Sequence, residues 1–158
     1  MMFATAFTLT TPSPPEAVWA YVSDLGNVTA WNAAATGAQP FLDQASGKAG
    51  TLITFSRWPK TPLLYTRATG GELPHTAAFV AEDPAGGEWS RETFSVSAGQ
   101  GGGAVLEYEV QIVQPSAWLP CLGLYSIYRA RADSATSRRQ LQTALDELAP
   151  QASVAVSV

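Results

Sequence analysis

The run Ser116-Ala117-Trp118-Leu119-Pro120-Cys121-Leu122-Gly123-Leu124-Tyr125-Ser126-Ile127-Tyr128-Arg129 leads into an alanine-rich polar segment that closes with Leu141, Leu145 and Leu148. Those three leucines stand four and three residues apart, the repeat of one helical face, while Arg138, Arg139, Gln140, Gln142, Asp146 and Glu147 fill the others. The spacing predicts one long C-terminal helix, stopped by Pro150. A helix with an apolar stripe needs an apolar surface to lie on, and nearly everything upstream has the two-residue period of strands. The fold class is therefore α+β, a helix laid on a sheet.

Working back from the helix, Leu106, Tyr108, Val110 and Ile112 face one way and Glu107, Glu109 and Gln111 the other, the clearest inside-outside alternation in the chain. Trp89 to Ser97, Thr76 to Glu82, Leu63 to Thr69 and Thr51 to Trp58 read as further strands, and Gln39 to Leu42 as a weak one. The turns between them are short, which predicts antiparallel neighbours. Gly99 to Gly103 is a hairpin turn and not a phosphate cradle, because no lysine follows and it leads into a strand. The segment Arg57 to Leu64 is longer and richer in proline than a tight hairpin needs, so it reads as a longer loop. Nearer the start, Phe3, Thr5, Phe7 and Leu9 alternate as a strand. Ser13, Pro14, Pro15 and Glu16 then form a capping-box pattern that opens a short helix bearing Val18, Trp19, Val22 and Leu25. Asn27 is placed to cap a second short turn that carries Trp31. Residues 1–150 read as one domain and 151–158 as a flexible tail.

Composition narrows the function. The chain has 158 residues, 46% hydrophobic and 14% charged, with a formal net charge of −4. Phosphate backbones need clustered positive charge, so nucleic acid is not an expected partner. One cysteine, Cys121, excludes an internal disulfide, and one histidine, His75, excludes the ordinary zinc-ligand sets, so neither a metal nor a cofactor is expected. No secretory leader pattern and no membrane-spanning apolar run is visible, and a cytoplasmic location is the expectation. Stable membrane insertion is not expected. Oligomeric state cannot be read.

The stretch FTLTTPSPPEAVWAYVSDLGNVTAWN resembles the opening of the START-like, or SRPBCC, superfamily of polyketide cyclase/dehydrase and lipid-transport type. The later GELPHTAAFV, the Gly-rich turn before AVLEYEVQI, and the terminal LQTALDELA continue the likeness from Phe3 to Ala149. The resemblance implies a helix-grip fold. In it a curved antiparallel sheet of about six or seven strands wraps a long C-terminal helix, two short helices follow the first strand, and a hydrophobic cavity lies between sheet and helix.

Small residues in mid-helix, Ala130, Ala132, Ser134, Ala135 and Ser137, point independently to such a space opposite Phe55, Phe79, Phe94 and Tyr108. Strand parity puts Arg67 with Tyr65, and Glu92 with Phe94, on the inner face. An inward Arg can orient a carbonyl or enolate oxygen, and an inward Glu can move a proton. Tyr125 and Tyr128, three residues apart, can present phenols to one side of the helix. The expected lining is Trp31, Phe55, Tyr65, Arg67, Phe79, Glu92, Phe94, Tyr108, Leu122, Tyr125 and Tyr128, with Arg67, Glu92, Tyr108 and Tyr125 as catalytic candidates. Three functions stay open. The first is binding of a hydrophobic small molecule, lipid or polyketide-like, and the second is a cofactor-independent polyketide cyclase, aromatase or dehydratase. The third is a protein-interaction module like the Aha-type relatives.

Overall fold

The computed structural model describes residues 2–56, 61–68, 75–113 and 133–149. Its strands are β1 (Met2–Thr11), β2 (Ala35–Leu42), β3 (Ala49–Phe55), β4 (Leu63–Arg67), β5 (Thr76–Glu82), β6 (Glu88–Ala98) and β7 (Ala104–Val113). They form one antiparallel sheet in the order β1-β7-β6-β5-β4-β3-β2. Each strand from β2 onward pairs with the next in sequence, and the first strand closes against the last. Two short helices, α1 (Pro15–Ser23) and α2 (Val28–Trp31), fill the connection between β1 and β2. The C-terminal helix α3 (133–149) presents Leu141 and Leu145, both fully buried, to the sheet.

The alternation in the sequence becomes burial. On β6, Ser90, Glu92, Phe94 and Val96 are buried, and on β7 Ala104, Leu106 and Tyr108 are. On β5, Ala77, Phe79 and Ala81 are buried, on β4 Leu63 and Tyr65. A sheet with one face turned inward produces this two-residue rhythm. Gly50 on β3 permits the close approach to β4 that seats Tyr65, since a Cβ there would stand 2.3 Å from the Tyr65 carbonyl oxygen.

Three local expectations change. Ser13 does not cap α1. The helix begins at Pro15 with Pro14 as N-cap and no side-chain cap bond. The Ser13 hydroxyl, fully buried, instead donates to the Leu145 carbonyl of α3 at 2.5 Å. Asn27 makes no cap bond either: its amide donates to the Tyr21 carbonyl, while the Asp24 carboxylate accepts from the Gly26 amide and caps the turn Leu25–Asn27. β2 starts at Ala35, earlier than its own sequence suggests, because β3 supplies partners along its length. It is an edge strand, where Pro40 leaves no inner partner unmet. Trp58, Thr69, residues 57–60 of the Arg57 to Leu64 loop, and the helix start with Cys121 lie outside the described residues, as does the tail.

Two serines fasten the C-terminal helix at separate points. Besides Ser13 on Leu145, the buried Ser137 hydroxyl accepts from the Ala33 amide at 3.0 Å. Such bonds fix the helix's rotation as well as its position, because each ties one helical angle to one loop.

Candidate functional site

Cross-strand register places inward side chains in rows. One row runs Arg67, Phe79, Glu92, Val110 across β4, β5, β6 and β7. The row on one side of it runs Tyr65, Ala81, Ser90, Ile112, and the row on the other runs Ala77, Phe94, Tyr108 and then Phe7 of β1. Glu92 thus has a tyrosine in the row on each side, on different strands.

Both phenols turn to it. The Tyr65 hydroxyl donates to Glu92 Oε1 at 3.0 Å and the Tyr108 hydroxyl donates to Oε2 at 2.9 Å. Tyr65 belongs to β4 and Glu92 to β6, so the phenol has to pass over β5. The residue it passes is Ala81, opposite Tyr65 in the register and fully buried, whose methyl leaves the way clear. Aromatic rings enclose the cluster. Trp31 sets its edge on Phe94 and Tyr108, with centroids 6.0 and 5.9 Å away, while Phe94 and Tyr108 lie 4.8 Å apart. Phe79 lies edge-on to Phe94 at 6.1 Å, Phe7 is 4.9 Å from Tyr108, and half-buried Phe55 is 6.4 Å from Tyr65.

Electrostatics follow from this enclosure. Glu92 is 5% exposed. Burial raises its carboxyl pKa above the ordinary value, because a desolvated carboxylate is disfavoured, while the two phenol hydrogen bonds pull it back down. Burial first, and then the nearby Glu92 charge, push both phenols well above the ordinary tyrosine value. At neutral pH both tyrosines are therefore neutral hydroxyls that donate, and Glu92 is the group in the cluster able to exchange a proton.

Arg67 is placed otherwise than its parity implies. It shares the inner face with Tyr65 but is the last residue of β4, and its side chain is exposed. The guanidinium lies over the Trp19 ring, 5.8 Å from the centroid, and that ring is 5.7 Å from His75. His75 takes a positive φ of 61° at the start of β5. Arg67 is thus separated from the carboxylate cluster and belongs to a cation-aromatic group at the strand end. Leu122, Tyr125 and Tyr128 lie outside the described residues.

Sequence reasoning gave Ala81 and Phe7 no part in the site, and gave Ser13 and Ser137 other roles, a helix cap and a small residue beside a cavity. Phe7 was signalled by its place in the β1 alternation. The others depend on register and long-range pairing. Among the described residues no three His, Cys, Asp or Glu side chains group as a metal site, and no helix is long and apolar enough to cross a membrane.

No family model and no curated protein matches the sequence. Solved structures do match the fold. A START superfamily protein from Mycobacterium smegmatis superposes with a TM-score of 0.66 at 12% identity, covering 92% of this chain and 98% of that one. The fold is START-like. The Zhui aromatase/cyclase from Streptomyces sp. R1128 shares this START-like architecture with a TM-score of 0.69 at 12% identity, over 92% of this chain and 94% of its own. Ara h 8.0201 gives 0.59 at 13% identity, over 96% and 99%. The expected helix-grip arrangement, a sheet of about six or seven strands with two short helices after the first, is observed with seven strands.

Proposed function

We propose that the protein binds a hydrophobic small molecule, lipid or polyketide-like, between the inner face of its sheet and the C-terminal helix, and that the Tyr65-Glu92-Tyr108 cluster meets the ligand's polar group. The observation that carries this reading is a buried carboxylate held by two phenols in an aromatic wall. A carboxylate desolvates at a cost of several kcal/mol, and two phenol bonds leave lone pairs to spare, since a carboxylate offers about four acceptor positions. A ligand hydroxyl or enol can take one of them. Apolar surroundings with a few convergent polar groups are the common form of small-molecule sites. The START-like neighbours, one of them an aromatase/cyclase, support a ligand-enclosing use of this fold.

The test is native purification followed by solvent extraction and mass spectrometry. A lipid or aromatic compound near one equivalent supports the reading. A clean blank, together with no binding of a hydrophobic fluorescent probe, sinks it.

The raised proton affinity of Glu92 favours a second reading, cofactor-independent cyclisation or dehydration with Glu92 as the proton-transfer group. A carboxylate whose proton affinity burial has raised can take a proton from an activated methylene and return it to a departing hydroxyl. On this reading a poly-β-ketone analogue is turned over by the wild type, and Glu92→Gln loses roughly two to four orders of magnitude in rate. Equal rates in the two proteins would exclude Glu92 as that group.

A further inference from the structure

Negative and positive charge are divided between the buried cluster on the inner face of the sheet and the groove beside α3. Inside is Glu92, and among the described residues no lysine or arginine pairs with it: the described ion pairs, Lys48 with Glu82 and Arg91 with Glu88, lie at the surface. At the rim, β1 and the first turns of α3 enclose an open groove of about 460 Å³. Phe7 and Leu9 form its apolar side, the short Ser134 and Ala135 leave it open, and exposed Arg138 and Arg139 stand along it. Among the described residues, the Arg138 guanidinium makes a long 3.5 Å contact to the Thr8 carbonyl. The groove adjoins the buried cluster, because the Phe7 ring lies 4.9 Å from Tyr108, whose hydroxyl reaches Glu92.

We infer that the ligand is a single-chain amphiphilic anion bound neutral end first, its apolar body over Phe7 towards Tyr108 and its negative end at Arg138 and Arg139. This rests on the ligand-binding proposal above and adds the ligand's charge and direction. A second anion beside Glu92 would face a like charge in a poorly screened interior. Two guanidinium forks at an exposed rim suit a carboxylate or phosphate that stays partly hydrated.

Dansyl-labelled undecanoic acid and its methyl ester differ only in the charge at one end, and their fluorescence reports binding. The wild-type protein is expected to bind the acid roughly three- to tenfold more tightly than the ester, the range for two exposed pairs, with the advantage shrinking in high salt. The double variant Arg138→Gln with Arg139→Gln should lose the advantage and bind the ester as before. The corresponding lysine pair should keep part of it. Circular dichroism confirms that these surface variants stay folded. Glu92→Gln should move acid and ester together. An acid that binds no better than the ester, or an advantage that survives the glutamine pair, overturns the inference. So does a selective gain for the acid in Glu92→Gln, because that gain would put the carboxylate at Glu92. In those three outcomes ester binding leaves the ligand-binding proposal standing. Binding of neither probe removes that proposal and this inference with it.

Discussion

Replacing Glu92 with Gln should change how stability responds to pH, in a direction that burial determines. Desolvation raises the folded-state pKa of Glu92 above that of the unfolded chain, so the folded protein keeps a proton the unfolded chain has already released. The stabilising contribution is fully present below the unfolded value of about 4.3. It is lost as pH rises through the folded value. The wild-type stability minus that of Glu92→Gln is therefore expected to be level in acid and to fall at up to about 1.4 kcal/mol per pH unit, the limit for one proton. It levels again above the folded pKa. Gln is the informative partner because its amide oxygen can accept from one phenol while its NH₂ donates to the other, preserving the cluster without a titration. Asp43 and Asp83 have lowered pKa values, from the Ser46 hydroxyl and the Gly87 amide respectively, but both proteins share them and they cancel in the difference. Tyr108→Phe provides the internal control. It deletes a bond that lowers the Glu92 pKa, so the falling limb should extend to higher pH. Urea unfolding followed by circular dichroism at steps between about pH 4 and pH 8 gives each curve. A difference that rises with pH, or does not change with it, would refute the desolvation argument.

Other outcomes follow from the packing. Leu145→Ala, at a fully buried helix position, should cost about 2–5 kcal/mol in urea unfolding, and a cost under 1 kcal/mol would mean that α3 is not gripped there. Ser13→Ala removes the hydroxyl on the Leu145 carbonyl and should cost about 0.5–1.5 kcal/mol, whereas Glu16→Ala, without a cap to lose, should move the unfolding midpoint by much less. Ala81→Val puts two methyl groups in the path of the Tyr65 phenol. It should cost about 1–3 kcal/mol and shift the Glu92 titration upward as Tyr65→Phe does, since either change removes the same hydrogen bond. An unshifted titration would show that the phenol does not cross β5 at Ala81.

The inner face was legible because burial imposes a period of two, and β5, β6 and β7 are long enough to display it. Glu92 stood out for that reason: a charge at the parity of Phe94 and Val96 has to be buried. Arg67 had the parity of Tyr65, but a strand's last residue can leave the sheet whichever way its parity points, and β4 ends there. The convergence of Tyr65 and Tyr108 on Glu92 is a property of register across four strands, which no one strand's pattern contains. Ser13 shows the opposite failure, where a local motif was complete and a partner 132 residues away took its hydroxyl. β2 was under-read because Gly37 and Pro40 disfavour a strand locally, while pairing with β3 decides the matter.

The closure of β1 on β7 also sets a schedule. Met2 pairs with Val113 and Thr11 with Ala104, so β1 is made well before β7, its sheet partner among the described strands. During synthesis, at roughly 5–20 residues per second, the Phe7 edge waits several seconds with its hydrogen-bonding groups unmet. Ser13 waits longer still for Leu145. The hairpins from β2 to β7 can form as they emerge, whereas the strand that supplies Phe7 to the ring around Tyr108 can dock only afterwards. Contacts between such distant residues make for slow folding, and β1 is the segment whose exposure a chaperone would have to cover.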